Sequence, residues 1–320
     1  MDNDQELKTK NENVQATPNG EGKVTSPSTL RQMLRARGLH PRRSQGQHFL
    51  VDENILNKII QAAALKNEDT VVDIGAGPGA LSLAISKQVA AVIAIEQDRG
   101  LAAFLREQKT LRGLTNMTVI EGDVRRLDLE SLWNARQTQE DGAALPVDAE
   151  KKQQIKVVAN LPYYLTTPLL FKLLQGRDRP ALLVLMVQFE VARRILADPG
   201  SKDYGTVSVL CQYYCHGRLL FKVSRHVFYP RPEVDSAVIM LETLPHPSVS
   251  VPDGALFWEI VRGAFQQRRK TILNALIGVG EAGREEWEQM LGQAGVMSTR
   301  RGETLTLQEF AKLAEILYNR

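Results

Sequence analysis

Thr70–Ile74, TVVDI, runs directly into Gly75-Ala76-Gly77-Pro78-Gly79. Leu81, Leu83, Ala84 and Ile85 follow at helical spacing, and a second apolar run, Val92–Ile95, ends at Glu96. A β-branched run, a glycine turn, an apolar helix and another β-branched run make a βαβ unit. Parallel strands need a crossover rather than a tight turn, so the unit demands a parallel sheet with helices laid across it. No other stretch limits the fold as strongly. Glycines let backbone approach a ligand with no Cβ in the way, and a carboxylate ending the second strand can accept both hydroxyls of a ribose. The unit therefore predicts a nucleoside-bearing ligand at Gly75, Gly77 and Glu96.

The neighbouring segments extend that sheet. Met117–Ile120 reads as a third strand ending in Glu121-Gly122-Asp123. Asp123 is placed to accept a hydrogen bond from an adenine amine, or else is an ordinary turn aspartate. Ile155, Val157 and Val158 mark a buried strand that Pro162 stops. Asn160 thus falls where strand gives way to loop, the edge at which open α/β sheets bind ligands. It brings a side-chain acceptor, Leu161 a backbone carbonyl and Tyr163 a flat π face, which together suit a planar base with an exocyclic amine. An isolated Asn-x-Pro-Tyr is more often a strand-ending turn with a core tyrosine. Its meaning rests on what surrounds it.

Upstream, Gly46-Gln47-His48-Phe49-Leu50 precedes Asp52, an N-cap for a helix bearing Ile55, Leu56, Ile59 and Ile60. His48 alone is a surface or packing histidine; its place just before the nucleotide-binding unit makes a ligand contact worth testing. Downstream come a helix at Pro168–Leu174 and strands at Ala181–Val187, Leu219–Val223 and Ala237–Leu241. Between the last two lies Phe228-Tyr229-Pro230-Arg231-Pro232-Glu233-Val234-Asp235-Ser236. Two prolines stiffen this loop, which either holds an aromatic ring in a fixed place or tucks Phe228 and Tyr229 into the core.

A chain of 320 residues suggests one large domain and a smaller one. Residues 1–28 are polar and nearly free of large apolar groups, and are expected to be disordered. The α/β domain is expected over 29–244. LPHPSVSVPD at Leu244–Asp253 marks a boundary, and 253–320 reads as all-helical. Asp253 caps a helix with Leu256, Phe257, Ile260, Val261 and Phe265 inward, and Thr306-x-x-Glu309 is a capping box. Glu130–Lys152 is polar and reads as a surface insertion.

With 43% apolar and 24% charged residues the composition is that of a soluble globular protein. No apolar run approaches the roughly 20 residues of a membrane span, and MDNDQELKTK lacks the order of a secretory signal. Cys211 and Cys215 read as core thiols rather than a metal or redox site. A cytoplasmic, reduced protein without a metal or a membrane partner is expected. The net charge of +3 is mild, but it is unevenly placed. Residues 1–29 carry net −2, whereas Arg31, Arg35, Arg37, Arg42 and Arg43 stand together with no acid among them. Arg193/Arg194, Arg218/Lys222/Arg225 and Arg268/Arg269/Lys270 add further basic groups. Arg42, Arg43, Arg268, Arg269 and Lys270 are the candidates for a phosphate-backbone footprint.

Ala80 at the sixth place satisfies the dinucleotide fingerprint, so the turn alone leaves a nicotinamide cofactor open. It also matches the D-x-G-x-G-x-G loop of S-adenosylmethionine-dependent methyltransferases, as Asp73–Gly79. From about Gly46 to the C-terminus the chain resembles the ribosomal RNA adenine dimethyltransferase family. The shared motifs are GQHFL, DIGAGPG, Glu96, Gly122-Asp123, NLPY, the F-x-P-x-P-x-V-D-S loop, and Phe265-Gln266-Gln267-Arg268-Arg269-Lys270-Thr271, seven in one order. The last stretch and the helical end are more similar to small-subunit housekeeping members than to antibiotic-resistance relatives acting on large-subunit RNA. The acidic tail and the length of 130–152 depart from the pattern, and position 48 is Asn or His among relatives.

The resemblance implies a Rossmann-like methyltransferase domain with a small helical C-terminal domain. It implies S-adenosylmethionine held by His48, Leu50, Gly75, Gly77, Glu96, Asp123 and Asn160. It further implies a target adenine gripped by Asn160 and Leu161 and clamped between Tyr163 and Phe228. The implied reaction is dimethylation of the N6 amine of two adjacent adenosines in a hairpin near the 3′ end of small-subunit (16S) ribosomal RNA. The implied partner is that RNA or the assembling 30S subunit, met by a monomer. A non-catalytic nucleic-acid-binding relative and a large-subunit methyltransferase are the competing expectations.

Overall fold

The structure is a computed structural model that describes residues 23–42, 45–134 and 155–320. Residues 1–22, Arg43 and most of the expected insertion (135–154) lie outside the described residues. The chain opens with α1 (Pro27–Arg35) and a two-residue strand β1 (Phe49–Leu50), followed by α2 (Glu53–Ala62). The side chain of Asp52 accepts from the Ile55 N–H at 2.9 Å, so the expected cap is formed. Next come β2 (Thr70–Ile74), α3 (Ala80–Ile85), β3 (Ala91–Glu96), α4 (Arg99–Leu111), β4 (Met117–Glu121) and α5 (Leu129–Asn134). Beyond the undescribed stretch are β5 (Ile155–Asn160), α6 (Thr166–Gln175), β6 (Leu182–Gln188), α7 (Phe189–Ile195) and α8 (Thr206–Tyr214). β7 (Cys215–Val223), a short β8 (Phe228–Tyr229) and β9 (Ser236–Thr243) finish the sheets. The helical end is α9 (Gly254–Gln266), α10 (Ile272–Leu276), α11 (Arg284–Gln293) and α12 (Leu307–Tyr318).

Seven strands form one sheet in the order β4-β3-β2-β5-β6-β9-β7. β2 to β6 pair in parallel, whereas β9 lies antiparallel between β6 and β7. Strand order runs one way from β2 and the other way from β5. The crevice at their carboxyl ends is therefore the topological switch point, where ligands bind in such sheets.

Alternation along the buried strands divides the core. Val72, Ile74, Val157 and Ala159 face α6, α8 and the C-terminal helices, whereas Val71, Val92, Ala94 and Val158 face α2, α3 and α4. The C-terminal helices share the first of these cores, with Phe257 stacked on Tyr213 at 4.9 Å and Trp258 edge-on to Tyr213 at 5.7 Å. Leu244–Asp253 links the two parts without being loose. Leu244 N–H donates to Tyr214 O (2.8 Å), Ser248 N–H donates to Tyr213 O (2.9 Å), and Val249 and Val251 pack on the same core.

Several expectations need adjusting. The polar tail does not extend to residue 28, because Val24 is buried and α1 begins at Pro27. β7 starts four residues earlier than Leu219, at Cys215. Cys211 sits in α8 and Cys215 opens that strand, paired with Thr243. Both are buried free thiols, and burial pushes both up from the ordinary cysteine range. The proline loop is not wholly irregular, since Phe228–Tyr229 pair antiparallel with Phe49–Leu50. Among the described residues no helix is long and apolar enough to cross a membrane.

One buried ion pair pins the sheet to α2. Lys156 Nζ lies 2.7 Å from Asp69 Oδ2, with both side chains under 10% exposed, and also donates to Ala64 O (2.8 Å) and Ala63 O (3.3 Å). Lys156→Met leaves the Asp69 carboxylate buried without its partner, and should lower stability by about 3–5 kcal/mol. Lys156→Met combined with Asp69→Asn should lose clearly less, as read from chemical denaturation.

Candidate active site

The cleft at the switch point is lined by three segments far apart in sequence. Gln47, His48 and Phe49 come from the first, Gly75, Gly77 and Glu96 from the βαβ unit, and Asn160 to Leu165 from the end of β5. It encloses roughly 670 Å³, counting space open to solvent. Gly75 and Gly77 have φ of +74° and +56°, a region that side chains avoid. A Cβ at Gly75 would stand 2.7 Å from Cδ of Pro162, and one at Gly77 would stand 3.1 Å from the Phe49 ring. The glycine turn is thus wedged between the NLPY and GQHFL segments.

Glu96 ends β3 with its carboxylate aimed by the backbone. Its Oε2 accepts the Gly77 N–H (2.7 Å) and its Oε1 accepts the Asp98 N–H (2.8 Å). Burial raises its pKa, while those two bonds pull the other way. Each oxygen keeps a second lone pair, so a ribose diol can still be accepted. Asp73 lies beneath the turn, fully buried, taking a 2.5 Å hydrogen bond from Ser82 Oγ. Burial pushes its carboxyl up to about 7.

Asn160 is half-buried at the cleft wall. Its Nδ2 donates to the carbonyl oxygen of His48 (3.0 Å), which leaves Oδ1 as the acceptor on the open side. Leu161 has a buried side chain and an N–H committed to Met186 O (3.1 Å). Tyr163 donates its flat face to the cleft while its hydroxyl shares a 3.0 Å hydrogen bond with Ser236 Oγ, and burial raises its pKa. The His48 ring lies nearly parallel to it, centroids 5.7 Å apart.

Three expected site residues are placed differently from the others. Phe228 is only 4% exposed; pairing opposite Leu50 turns its ring into the core under α2, and it does not line the cleft. Leu50 is buried in that same core, whereas its neighbours His48 and Phe49 line the cleft. Asp123 is held by Arg125, whose Nη2 lies 2.6 Å from Oδ2 and keeps the carboxyl below its ordinary range. Gly122 and Val124, on either side of Asp123, do reach the cleft.

The basic candidates are partly committed. Arg42 pairs with Asp98 at 3.5 Å, Arg37 with Glu107, and Arg193 with Asp203. Arg31 covers the Tyr229 ring at 5.0 Å. Arg268 donates to the carbonyls of Lys202 and Tyr204, a structural task, whereas Arg269 and Lys270 are exposed. Among the described residues no group of three or more His, Cys, Asp or Glu is placed to hold a metal ion.

Sequence reading missed Phe49, Gln97 and Tyr164. Phe49 was hidden in an apolar pair whose inward member only strand pairing decides. Tyr164, 44% exposed at the cleft mouth, bonds Gln97 Oε1 (3.2 Å) and lies under Arg125 at 5.8 Å. Two adjacent tyrosines gave no sign of which would face the cleft.

The family model for "Ribosomal RNA adenine dimethylase" matches residues 38–316. The chain is 46% identical over 293 residues to the "Ribosomal RNA small subunit methyltransferase A" of Pelotomaculum thermopropionicum, covering 91% of this chain and 96% of the relative. It is 48% identical to the protein of the same name from Moorella thermoacetica, covering 92% and 98%. Among solved structures it is similar to a dimethyladenosine transferase from Plasmodium falciparum, with a TM-score of 0.66 and 25% identity over 83% of this chain and 96% of that one. A 23S rRNA methyltransferase, at TM-score 0.58 and 22% identity over 84% and 99%, shares the fold.

Two outcomes follow from this geometry. Gly75→Ala meets both the Pro162 ring and an unfavourable φ, the latter alone worth about 1–2 kcal/mol. It should lower the melting temperature and weaken S-adenosylmethionine binding by at least roughly tenfold in a calorimetric titration. The second concerns Asp73, whose folded pKa of about 7 exceeds the ordinary 3.8. Between those values the folded state holds the extra proton, so this group's stabilisation is full at low pH and lost as pH rises through about 7. Asp73→Asn cannot ionise, so its stability relative to the parent should rise across that window and level off above it, as followed by melting temperature against pH.

Proposed function

Because the chain belongs to the ribosomal RNA adenine dimethylase family, we propose that it dimethylates N6 of two adjacent adenosines near the 3′ end of small-subunit rRNA. It is an S-adenosylmethionine-dependent adenine dimethyltransferase acting on ribosomal RNA. The relatives at 46% and 48% identity carry a small-subunit name, which supports that choice over the large subunit. A single chain carries every residue of the proposed site, so the proposal takes a monomer in the cytoplasm, working on assembling 30S subunits. The observation that carries the mechanism is the Asn160 amide fixed on His48 O with its oxygen turned to the cleft.

The residues fit the cofactor. Glu96 suits the ribose, the glycine turn leaves room for close backbone approach, and Asp123 keeps acceptor capacity for an adenine amine even while paired with Arg125. When bound, S-adenosylmethionine supplies a methyl group already activated by its sulfonium. The remaining work is on the nucleophile. An adenine amine is weakly nucleophilic because its lone pair is delocalised into the ring. Asn160 Oδ1 and the Leu161 carbonyl, accepting its two N–H groups, favour a pyramidal nitrogen with a localised lone pair. Tyr163 holds the extruded base by stacking, worth about 1–3 kcal/mol. Phe228 completes a clamp only if the β8 edge shifts toward the cleft, a motion that RNA binding would have to drive.

Asn160→Ala should cut methyl transfer from labelled cofactor to unmethylated small subunits by about 100-fold or more while leaving the fold intact. Asn160→Asp should fail as well, because a carboxylate cannot donate to His48 O. RNA affinity should fall as salt rises, and Arg269→Ala or Lys270→Ala should each reduce the slope of log K against log salt by about 1. Unchanged slopes would remove both residues from the footprint.

A further inference from the structure

We propose that His48 is a positioning residue whose imidazole ties the Phe228–Ser236 loop to the segment whose carbonyl fixes the Asn160 amide; this rests on the reading of Asn160 as the amine's acceptor. His48 Nδ1 lies 2.7 Å from the carbonyl oxygen of Pro230. A carbonyl oxygen only accepts, so the ring N–H donates there and fixes the orientation of the imidazole. The same residue's own carbonyl takes the Asn160 amide at 3.0 Å, and its ring lies along Tyr163.

The reason for this bond is local. β1 and β8 pair as Phe49 with Tyr229 and Leu50 with Phe228, and the Val51 N–H donates to Val227 O (2.9 Å) just beyond them. A ladder of that length is marginal, and the next place along it would match His48 with Pro230. That place is a non-bonded position of the ladder, because the Val51 N–H donates to Val227 O and bonded pairs recur at every second residue. The His48 side chain takes the Pro230 carbonyl instead and adds one cross-link to the ribbon. At its far end the loop is fastened again, by Tyr163 OH on Ser236 Oγ at 3.0 Å. Both anchors are residues of the cleft. Arg225 and the Phe189 N–H also hold the loop, through Glu233 and Asp235, but of its cleft-side anchors it is His48 whose carbonyl also takes the Asn160 amide.

The side chain's contribution is a donor two bonds from Cβ. Asparagine carries an N–H at the same distance, glutamine carries it one carbon further out, and leucine has none. Full-length His48→Leu, His48→Gln and His48→Asn would be compared with the parent in two measurements. The first is amide hydrogen exchange across 227–236 without RNA. The second is single-turnover methyl transfer to unmethylated small subunits at saturating cofactor, with the cofactor Kd measured alongside. Leu and Gln should speed loop exchange and slow transfer at saturating cofactor by roughly five- to tenfold, the weight of one neutral hydrogen bond, with any change in cofactor Kd read separately. Asn should recover most of both losses. Loop protection unchanged in His48→Leu, or Asn no better than Gln, would overturn the proposal; so would a loosened loop with an unchanged transfer rate. If the parent protein itself transfers no methyl to small subunits, the functional reading fails, and the exchange comparison still decides whether His48 holds the loop.

Discussion

The ring of Pro162 occupies the space where a side chain at Gly75 would stand, 2.7 Å from the nearest Cβ position. This contact sets two requirements at once. Position 75 must be glycine, and the loop after β5 must turn sharply enough to bring its proline against the turn after β2. β2 and β5 are adjacent parallel strands, so their ends already lie side by side. The proline stops β5 at Asn160 and sends the chain across the glycine turn. The two turns are thus brought together by strand order and one steric contact, before any polar group is considered.

Polar groups refine that arrangement by being spent on backbone. The Gly77 N–H points to Glu96 and the Asn160 amide points to His48 O. The amide keeps its oxygen as an acceptor, and the carboxylate, although both its oxygens take a backbone N–H, keeps a lone pair on each. Fixed acceptors of this sort need no reorganisation when a ligand arrives, which is where positioned groups gain over water. Asp73 has a different part. It never reaches the cleft, and its burial under the turn next to the negative Glu96 is a standing electrostatic cost, relieved in part by Ser82.

The centre of the sheet was legible because β2, β3, β5 and β6 are buried on both faces and so read as continuous apolar runs bounded by glycine, proline and acidic residues, whereas the largely exposed β7 was read four residues short. Asn160, Glu96 and the glycines were legible for the same reason: each closes such a run. What escaped was whatever depends on pairing between distant segments. Phe228 and Leu50 are a case in point. Neither sequence nor motif states that they oppose each other, yet that register is what sends the Phe228 ring inward. Asp123 marks a similar limit, since its partner Arg125 is two residues away but only a folded turn brings the guanidinium onto the carboxylate. The arginine run was legible as charge and illegible as surface, because Arg37 and Arg42 spend theirs on Glu107 and Asp98.

Among the described residues no carboxylate or imidazole is hydrogen-bonded to Asn160 Oδ1, and the chemistry of the proposed reaction does not call for one. An amine that has taken up a methyl group is positively charged and becomes a far stronger acid than it was before. Its proton leaves downhill, to any oxygen or water within reach, after the difficult step has passed. A strong base beside the amine would gain little in rate, and an ionised carboxylate there would have to be buried against the turn that already holds Glu96 and Asp73. Neutral acceptors avoid that penalty while still drawing out the lone pair. The same logic favours a carboxamide over an acid at the end of β5: one atom is locked to the protein and the other remains a neutral acceptor.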